Sequence, residues 1–271
     1  MKKRKQQRLR GQTCIVTGAN SGIGEAIALA MGADGANVTV NYRSRPQDAE
    51  KVVRKIKKFG VKAIAVQADI SKKKEVKALF RKTIKTFGTV DILVNNAGVQ
   101  KDAAFHKMTL KQWNQVININ LTGQFLCARA AVREFLRRGM RKDVSAALGK
   151  IIHISSVHEI IPWAGHANYA ASKGGITMLM QTLAQEYGPD KIRVNTIAPG
   201  AVKTSINKSA WSNEESRQKM LKLIPYKRIG EPADIGKVAA WLASDEADYV
   251  TGTSIFADGG MTCYPGFTEN G

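Results

Sequence analysis

The chain has 271 residues, of which 44% are hydrophobic and 24% are charged, a composition typical of a globular protein and not of a disordered one. It carries 42 Lys and Arg against 22 Asp and Glu, which gives a formal net charge of +20. No apolar run approaches the roughly 18 residues of a membrane span, and the run after the basic N-terminus is too short for a signal peptide. Three widely spaced cysteines exclude a disulfide framework and a metal cluster, so we expect a cytoplasmic protein without a metal site.

Short apolar runs alternate with longer helical patterns along the chain. The predicted strands are Cys14–Thr17, Asn37–Asn41, Ala63–Ala68, Ile92–Asn95, Lys150–Ser155, Arg193–Ala198 and Ser254–Ala257. The predicted helices are Gly22–Ala33, Gln47–Phe59, Lys74–Phe87, Leu110–Arg138, Tyr169–Tyr187 and Pro232–Ser244. This alternation predicts an α/β fold with a parallel sheet and helices on both faces.

The domain organisation is predicted to be simple. A basic tail over residues 1–10, expected to be disordered, precedes one domain over residues 11–271. Within that domain, Arg137–Gly149 is predicted as a loop, and Ser205–Lys227 as a lid that could cover a site and set its specificity.

The excess of basic residues allows two interpretations. Phosphate neutralisation would favour nucleic acid, but no aromatic residues interleave with the lysine runs to stack on bases. We therefore interpret the charge as a solvated basic surface that allows non-specific adhesion to polyanions, and we expect no specific nucleic-acid partner.

A glycine-rich turn follows the first predicted strand. Gly18 permits a tight turn, Gly22 lets the backbone approach a pyrophosphate, and Gly24 allows close packing of helix on strand. The amino end of the following helix offers unpaired N–H groups to phosphates. Glycines also mark ordinary turns, but the position between a first strand and a first helix favours a dinucleotide loop.

The end of the second strand bears on the choice of nicotinamide cofactor. An NAD-selective site places an acidic residue there for the ribose 2′-hydroxyl, whereas residues 40–44 contain none. Arg43 could pair with a 2′-phosphate, or it could be an ordinary surface arginine. NADP is therefore preferred and NAD stays open. Asp69, just past the third strand, could bind the adenine amino group or could serve as a turn residue.

Tyr169 and Lys173 are four residues apart at the start of a predicted helix, so they share one face. An ammonium near a phenol would lower the pKa of the phenol and suit it for proton transfer at neutral pH. Ser156, at the end of the fifth strand, could donate a hydrogen bond to a substrate oxygen as charge develops.

With these motifs in order, the chain resembles the short-chain dehydrogenase/reductase family from about Gly11 to Gly260. The matching segments are Thr17–Gly24, Asn95–Gly98, Asn120, Ser156, Tyr169 with Lys173, and Pro199–Gly200. The resemblance implies a Rossmann fold, a doubly wound seven-stranded parallel sheet flanked by helices, assembled as a homotetramer or dimer. The long helices Leu110–Arg138 and Tyr169–Tyr187 could supply the interfaces.

The resemblance also implies the roles of individual residues. Tyr169 would transfer the proton, Ser156 would orient the substrate oxygen, Lys173 would bind the nicotinamide ribose, and Asn120 would hold the water of a proton relay. The residues that would contact the cofactor are Gly18, Asn20, Ser21, Gly22, Ile23, Gly24, Arg43, Ser44, Asp69, Ile70, Asn96, Ala97, Gly98, Tyr169, Lys173, Pro199, Gly200, Val202 and Thr204.

Three stretches are similar to bacterial glucose 1-dehydrogenases: Val40–Ser44, Ser155–Glu159 with Ile161–Trp163, and Phe256–Thr262. His158 would then face the sugar hydroxyls, beside Gln100 and Ser156. That subfamily has a glutamate at the position of Gln100, so glucose itself is open to question. His158 could instead only pack a loop, and Trp163 could only be core.

The leading hypothesis is hydride transfer between NAD(P) and a sugar, polyol or carbonyl compound, with a sugar oxidised to a lactone. A 3-oxoacyl-[acyl-carrier-protein] reductase or another carbonyl reductase is the alternative within the class, because it would share every catalytic residue. An acidic carrier protein would also suit the basic surface. A polyanion-binding scaffold that only keeps the fold is the non-enzymatic alternative.

Overall fold

In a computed structural model, which describes residues 7–204 and 211–263, seven parallel strands form one sheet. The strand order is β3-β2-β1-β4-β5-β6-β7, which confirms the predicted doubly wound parallel sheet. The strands are β1 Thr13–Val16, β2 Asn37–Tyr42, β3 Ala63–Gln67, β4 Ile92–Asn95, β5 Gly149–Ile154, β6 Ile192–Pro199 and β7 Ser254–Ala257. Strands β2 and β3 are added on one side of β1, and strands from β4 onward are added on the other side. Such folds bind ligands at this switch in strand order, between β1 and β4.

The helices cover both faces of the sheet. They are α1 Gly22–Ala33, α2 Pro46–Lys57, α3 Lys73–Phe87, α4 Leu110–Ile117, α5 Gly123–Arg138, α6 Ala167–Tyr187, α7 Glu214–Lys222 and α8 Pro232–Ala243. Apolar residues of α1, α2 and α8 build one core cluster, and those of α3, α5 and α6 build the other. β1, β4, β5 and β6 are buried along their whole length, which explains why their apolar residues do not alternate with exposed polar ones. In the described part of the chain, no helix is long and apolar enough to cross a membrane.

The prediction of one unbroken helix over Leu110–Arg138 is wrong. A π-helical turn, Asn118–Thr122, separates α4 from α5. Its buried residue Asn120 is held by Val99 and by Ser172 of α6. The π-turn therefore directs the Asn120 amide toward Val99 and Ser172, whereas a continuous α-helix would point this side chain in another direction. Such turns occur often at functional sites.

The prediction of a disordered tail over residues 1–10 is wrong for residues 8 and 9. Residues 1–6 lie outside the described residues, but Leu9 is fully buried. Arg8 donates to Asp34 at 2.9 Å through Nε and to Glu246 at 2.9 Å through Nη1. Burial of Leu9 and two acidic partners for Arg8 fix residues 8 and 9 against the domain.

The predicted lid is only partly described. Residues 205–210 lie outside the described residues, and the rest of Ser205–Lys227 contains α7, which the sequence did not predict. Asn213 caps α7, because its Oδ1 accepts a hydrogen bond from the Ser216 N–H at 2.8 Å. The segment is thus partly helical, and its action as a lid remains a prediction.

A lysine is buried near the amino end of β5. Lys150 is 1% exposed, and its Nζ donates to Gln12 Oε1 at 2.8 Å and to the Ser145 hydroxyl. Asp245 lies 3.6 Å away. Burial lowers the pKa of Lys150 to about 8 although Asp245 opposes this shift.

Candidate active site

The glycine loop adopts the conformation that its sequence predicts. Gly18 and Gly22 have φ values of +59° and +58°, a region that other residues rarely adopt. A Cβ built at Gly24 would lie 2.4 Å from both the carbonyl oxygen of Gly18 and Nδ2 of Asn96. Gly24 therefore allows the close approach that brings the amino end of α1 against the loop.

The loop after β4 clamps the glycine loop from the side. Asn96 Nδ2 donates to the carbonyl oxygens of Thr17 at 2.9 Å and Gly18 at 3.1 Å. The backbone N–H groups of Asn96 and Ala97 both donate to Thr17 Oγ1. Predicted only as part of a cofactor wall, Asn96 also fixes the shape of the loop that would hold a pyrophosphate.

The carboxyl end of β2 presents a second arginine beside the predicted one. Arg43 is exposed, whereas Arg45 reaches Ser21 Oγ of the glycine loop at 3.4 Å through Nη2. Arg45 has a φ of +60°, which turns the chain back toward the loop, and Asn20 Nδ2 donates to the Ser44 carbonyl at 3.1 Å. Sequence reasoning missed Arg45. No local signal indicated this turn, because a residue before a proline favours an extended backbone.

Asp69 and Ile70 follow β3. Asp69 takes the turn role that was one of its two predicted roles, and contact of either residue with a cofactor remains a prediction. Burial opposes the charge of Asp69, but hydrogen bonds from Ser71 and the nearby positive charges of Lys72 and Arg43 hold its pKa below the ordinary value. Asp69 Oδ1 accepts from the Ser71 N–H and hydroxyl, the expected geometry of a turn residue. The side chain of Ile70 is 3% exposed and packs into the space at Gly123, so it belongs to the core.

Ser156, Tyr169 and Lys173 come together at the carboxyl end of β5. Lys173 Nζ lies 5.4 Å from the centroid of the Tyr169 ring and donates to the carbonyl of Ile154 at 2.9 Å. Burial lowers the pKa of Lys173 to about 8, against the opposing charge of Glu159. The spacing of four residues on α6 therefore places a phenol and an amine on one face, as predicted.

The pKa of Tyr169 does not follow the sequence prediction. Burial raises it, and hydrogen bonds with Ser156 and Gln100 oppose the rise without reversing it. Asp102 also raises it through its negative charge. The prediction of a pKa lowered by the lysine is wrong because Lys173 is itself desolvated and is bonded to the main chain of β5.

Three stacked rings form a wall beside the tyrosine. Trp163 stacks on His166 at 3.5 Å and on His158 at 4.3 Å between ring centroids. The Tyr169 ring meets His158 and Trp163 edge-on, at 6.3 Å in each case. His166 Nε2 lies 3.3 Å from Asp102 Oδ2. Trp163 is 40% exposed, so it is not simply a core residue.

His158 has both a local and a site-facing role. The ring Nδ1 of His158 pairs with the carbonyl of Ile161 at 3.1 Å, and the backbone N–H of His158 donates to Ser156 Oγ at 3.3 Å. Burial lowers its pKa, the Ile161 bond opposes this, and His166 adds to the lowering. The ring is therefore neutral near pH 7 and could contact a substrate hydroxyl.

Asn120 connects the loop after β4 to α6. Its Oδ1 accepts from the Val99 N–H at 2.8 Å, and its Nδ2 donates to the Val99 carbonyl at 3.0 Å and to Ser172 Oγ at 3.2 Å. These bonds fix the backbone of Val99, the residue before Gln100, whose side chain hydrogen-bonds with Tyr169. A relay water on Asn120 remains a prediction.

The segment after β6 closes the site from the other side. A Cβ at Gly200 would lie 2.8 Å from Asp258 Cα and from Met261 Sδ, and a Cβ at Gly22 would meet Thr204 at 3.5 Å. Val202 is 3% exposed and pairs with Gly230. The chain after Pro199 thus lies against the glycine loop, as a nicotinamide wall would. No cluster of three or more metal-ligating side chains occurs in the ranges 7–204 and 211–263.

Comparison with known proteins identifies the family. Residues 18–262 match the short-chain dehydrogenase family described as enoyl-(acyl carrier protein) reductase. The chain belongs to the short-chain dehydrogenase/reductase family. Members of this family use NAD(P), and the glycine loop and Ser156–Tyr169–Lys173 cluster fit that group.

Several relatives match this chain over nearly its whole length. The chain is 50% identical to 3beta-hydroxysteroid dehydrogenase 1 of Eggerthella lenta over 259 residues, covering 96% of this chain and 97% of that one. It is 45% identical to glucose 1-dehydrogenase 2 of Bacillus subtilis, with coverages of 96% and 98%. It is 39% identical to the 3-oxoacyl-[acyl-carrier-protein] reductase FabG of Staphylococcus epidermidis, with coverages of 92% and 98%.

A solved structure supports the same conclusion. A gluconate 5-dehydrogenase from Burkholderia cenocepacia, in complex with NADP and tartrate, superposes with a TM-score of 0.87 at 30% identity. The match covers 96% of this chain and 98% of that one. The chain is therefore an NAD(P)-dependent oxidoreductase of this family, acting on CH–OH groups or the corresponding carbonyls.

Proposed function

We propose that the protein transfers a hydride between NADP and the ring hydroxyl of a sugar, oxidising a C1 hydroxyl to a lactone as glucose 1-dehydrogenases do. The observation that carries this proposal is the Tyr169 hydroxyl held by Ser156 and Gln100, with the His158 and Trp163 rings edge-on beside it. A cyclic polyol offers one hydroxyl to Tyr169 and further hydroxyls to Gln100 and His158.

The residues divide the reaction into a proton step and a hydride step. The glycine loop and the chain after Pro199 would hold the cofactor, whose nicotinamide would supply the hydride acceptor. Tyr169 removes the hydroxyl proton, and Ser156 and Gln100 hold the substrate oxygen by hydrogen bonds. Lys173, whose Nζ lies 5.4 Å from the centroid of the Tyr169 ring, would bind the nicotinamide ribose beside the tyrosine. Asn120 and Val99 fix the loop that carries Gln100.

NADP is proposed over NAD because no acidic residue occurs at the end of β2 and two arginines do. Arg43 is exposed there, and Arg45 lies against Ser21 of the glycine loop. A charge-assisted hydrogen bond contributes about 1.5–3 kcal/mol. We therefore expect Arg43→Ala and Arg45→Ala to lower the NADP-to-NAD ratio of kcat/KM by roughly 10- to 100-fold in total.

The matched control for this cofactor experiment is Arg54→Ala, an exposed arginine on α2. It removes the same charge away from the loop and should leave the ratio unchanged. Equal ratios in all three variants would remove the arginine argument for NADP.

The substrate proposal is tested by absorbance at 340 nm with NADP, D-glucose and a panel of sugars and alcohols. Rapid NADPH formation with an aldose, abolished in Tyr169→Phe, is the expected result. A protein that binds NADPH and oxidises it only with acetoacetyl thioesters would instead be a carbonyl reductase, which would contradict the sugar proposal.

A 3β-hydroxysteroid is the second candidate substrate. It is favoured by the 50% identical steroid dehydrogenase and by the exposed apolar surface of Ile160 and Trp163 near the site, 59% and 40% exposed. Gln100 is neutral, whereas the corresponding position of glucose dehydrogenases carries a charge that would disfavour an apolar ring system. A steroid in the same panel, with a kcat/KM at least tenfold above that of glucose, would select this candidate.

A homotetramer is proposed from the exposed apolar side chains of α5 and α6. Phe125, Leu136 and Met178 are 40%, 47% and 62% exposed, and a cavity of about 330 Å³ lies between the two helices. Leu136→Glu should lower the mass found by sedimentation velocity, and an unchanged mass would contradict this interface.

A cytoplasmic location is supported by three unpaired cysteines.

A further inference from the structure

Two segments of the chain meet beside Tyr169. The loop after β4, residues 99–104, carries Gln100, whose side chain hydrogen-bonds with Tyr169. The segment before α6, residues 160–166, carries Trp163, whose ring meets the Tyr169 ring edge-on at 6.3 Å. The position of these two segments relative to each other therefore sets the space that a substrate finds beside the Tyr169 hydroxyl.

Two uncharged hydrogen bonds hold the loop after β4 near the start of α6. The Ala103 N–H donates to the Gly165 carbonyl at 3.0 Å. Asn168, in the first turn of α6, donates through Nδ2 to the Lys101 carbonyl at 2.8 Å. These bonds flank Asp102 in the loop, and they hold it opposite the segment before α6.

A charged pair joins the same two segments. His166 Nε2 lies 3.3 Å from Asp102 Oδ2, and His166 Nδ1 lies 2.9 Å from the Ala164 carbonyl oxygen. A neutral imidazole has one N–H donor and one lone pair, so either neutral tautomer would turn its lone pair toward an oxygen. The imidazolium, by contrast, has an N–H for each oxygen. The contacts of His166 therefore favour its protonated form.

Other groups around the His166 ring act on the same charge. The ring stacks on Trp163 at 3.5 Å between centroids, and the face of an indole attracts a cation. His166 is also the N-cap of α6, where the helix dipole opposes a positive charge, and the Asp102 carboxylate offsets this effect. Burial and the nearby His166 lower the pKa of His158, which leaves that ring neutral. The remaining titratable groups on the neighbouring elements are Lys101, Glu159, Tyr169 and Lys173.

The pair is partly open to solvent. The side chain of His166 is 15% exposed and that of Asp102 is 47% exposed, so water weakens their attraction relative to a buried pair. The stack on Trp163 adds a contribution of similar size. His166 acts on Tyr169 through Trp163 and Asp102. We therefore expect a modest effect, on substrate binding and not on the chemical step.

We propose that His166, as an imidazolium, is a positioning residue of the substrate pocket. Paired with Asp102 and stacked on Trp163, it fastens the loop after β4 to the segment before α6 in the arrangement that receives the substrate. When the proton or the pair is lost, substrate binding must also order these segments, which weakens it. The inference rests on the proposed role of Tyr169 and not on the identity of the substrate.

Two variants at position 166 test the role of the charge. His166→Phe keeps a ring on Trp163 and removes the charge, whereas His166→Arg keeps a cation that pairs with a carboxylate and stacks on an indole at every pH of the assay. KM is measured between about pH 5.5 and 9, with NADP and whichever substrate of the panel turns over fastest.

The ratio of each variant's KM to the wild-type KM removes the titrations that all three proteins share. For His166→Phe this ratio should be roughly 3- to 10-fold at pH 5.5 and close to one at pH 9. For His166→Arg it should be close to one at pH 5.5 and below one at pH 9. At each pH, kcat should change less than twofold, because no reacting group is altered.

Tryptophan fluorescence tests the same proton without a substrate. An imidazolium stacked on an indole quenches its emission, so the wild type should brighten as the pH rises, and His166→Phe should not. The chain has four tryptophans, and Trp163→Phe identifies the share of the signal that comes from Trp163. The matched control is His106→Phe, an exposed histidine on the turn after this loop, which should keep wild-type behaviour in both experiments. Titration of NADPH fluorescence verifies that each variant folds.

Several results would overturn the inference. A KM ratio for His166→Phe that is the same at every pH would leave His166 with a packing role alone. A His166→Arg protein that behaves like His166→Phe would show that the charge is not what matters. A wild-type emission that does not depend on His166 would show that no imidazolium lies on Trp163. Failure of every sugar, with turnover of another substrate, would contradict the proposed function, and the KM comparison with that other substrate would still decide the role of His166.

Discussion

A methyl group added at Gly24 tests whether the clamped glycine loop controls cofactor binding. The new Cβ of Gly24→Ala would lie 2.4 Å from the Gly18 carbonyl oxygen and from Asn96 Nδ2, and 3.0 Å from Ala19 Cα. A carbon atom is normally about 3.5 Å from such neighbours, so one side must move by about 1 Å. Asn96 cannot give way freely, because its Nδ2 bonds to Thr17 and Gly18.

The cost follows from these contacts. Overpacking costs about 1–3 kcal/mol, and loss of the Asn96–Gly18 hydrogen bond costs about 1 kcal/mol. Replacing glycine in a helix returns up to about 1 kcal/mol. We therefore expect Gly24→Ala to lower the free energy of unfolding by about 2 kcal/mol and to weaken NADPH binding at least tenfold.

Urea denaturation followed by circular dichroism and titration of NADPH fluorescence measure the two effects of Gly24→Ala. The matched control is Gly174→Ala on α6, where the nearest neighbour of a new Cβ is the Glu159 carbonyl at 3.8 Å. It should be neutral or slightly stabilising. A Gly24→Ala protein with wild-type stability and wild-type NADPH affinity would refute the role assigned to the clamp.

Two predictions concern pH. The pKa of buried Lys150 is about 8 in the folded protein against an ordinary 10.5, so the unfolded chain binds more protons between these values. The free energy of unfolding should therefore rise with pH between about 8 and 10.5. In Lys150→Met this rise should be smaller than in the wild type by up to about 3 kcal/mol. Urea denaturation midpoints of both proteins at pH 8 and 10 measure this difference. The same pH dependence in the two proteins would contradict the burial of the Lys150 amine. Asp102 raises the pKa of Tyr169, so Asp102→Asn should move the acid limb of kcat/KM for alcohol oxidation to lower pH. A limb that stays in place or moves upward would argue against this coupling.

Features encoded by local spacing could be predicted from the sequence. The glycine loop is specified by Gly18, Gly22 and Gly24, and the bounds of α1 agree with the prediction because no distant contact is needed to set them. Tyr169 and Lys173 share a face because the helix period alone determines it. The strand order follows from the alternation of strands and helices together with the family resemblance.

Features that depend on contacts between distant segments could not be predicted. The pKa of Tyr169 depends on how deeply α6 packs, and spacing says nothing of burial. The contact of Arg45 with Ser21 requires a left-handed backbone that residue preferences disfavour. Likewise, the pair of His166 with Asp102 joins segments about 60 residues apart in the chain.

The π-turn between α4 and α5 has a consequence for insertions and deletions. Each helical residue advances the direction of its side chain by about 100°, so the extra residue of a π-turn resets the rotational phase of everything that follows. Deletion of one residue within Asn118–Thr122 would leave a regular helix of almost unchanged length. It would, however, rotate the apolar face of α5 away from the sheet or turn Asn120 away from Val99. The two helices can therefore keep their separate partners, the loop after β4 and the sheet, only while the number of residues between them is preserved.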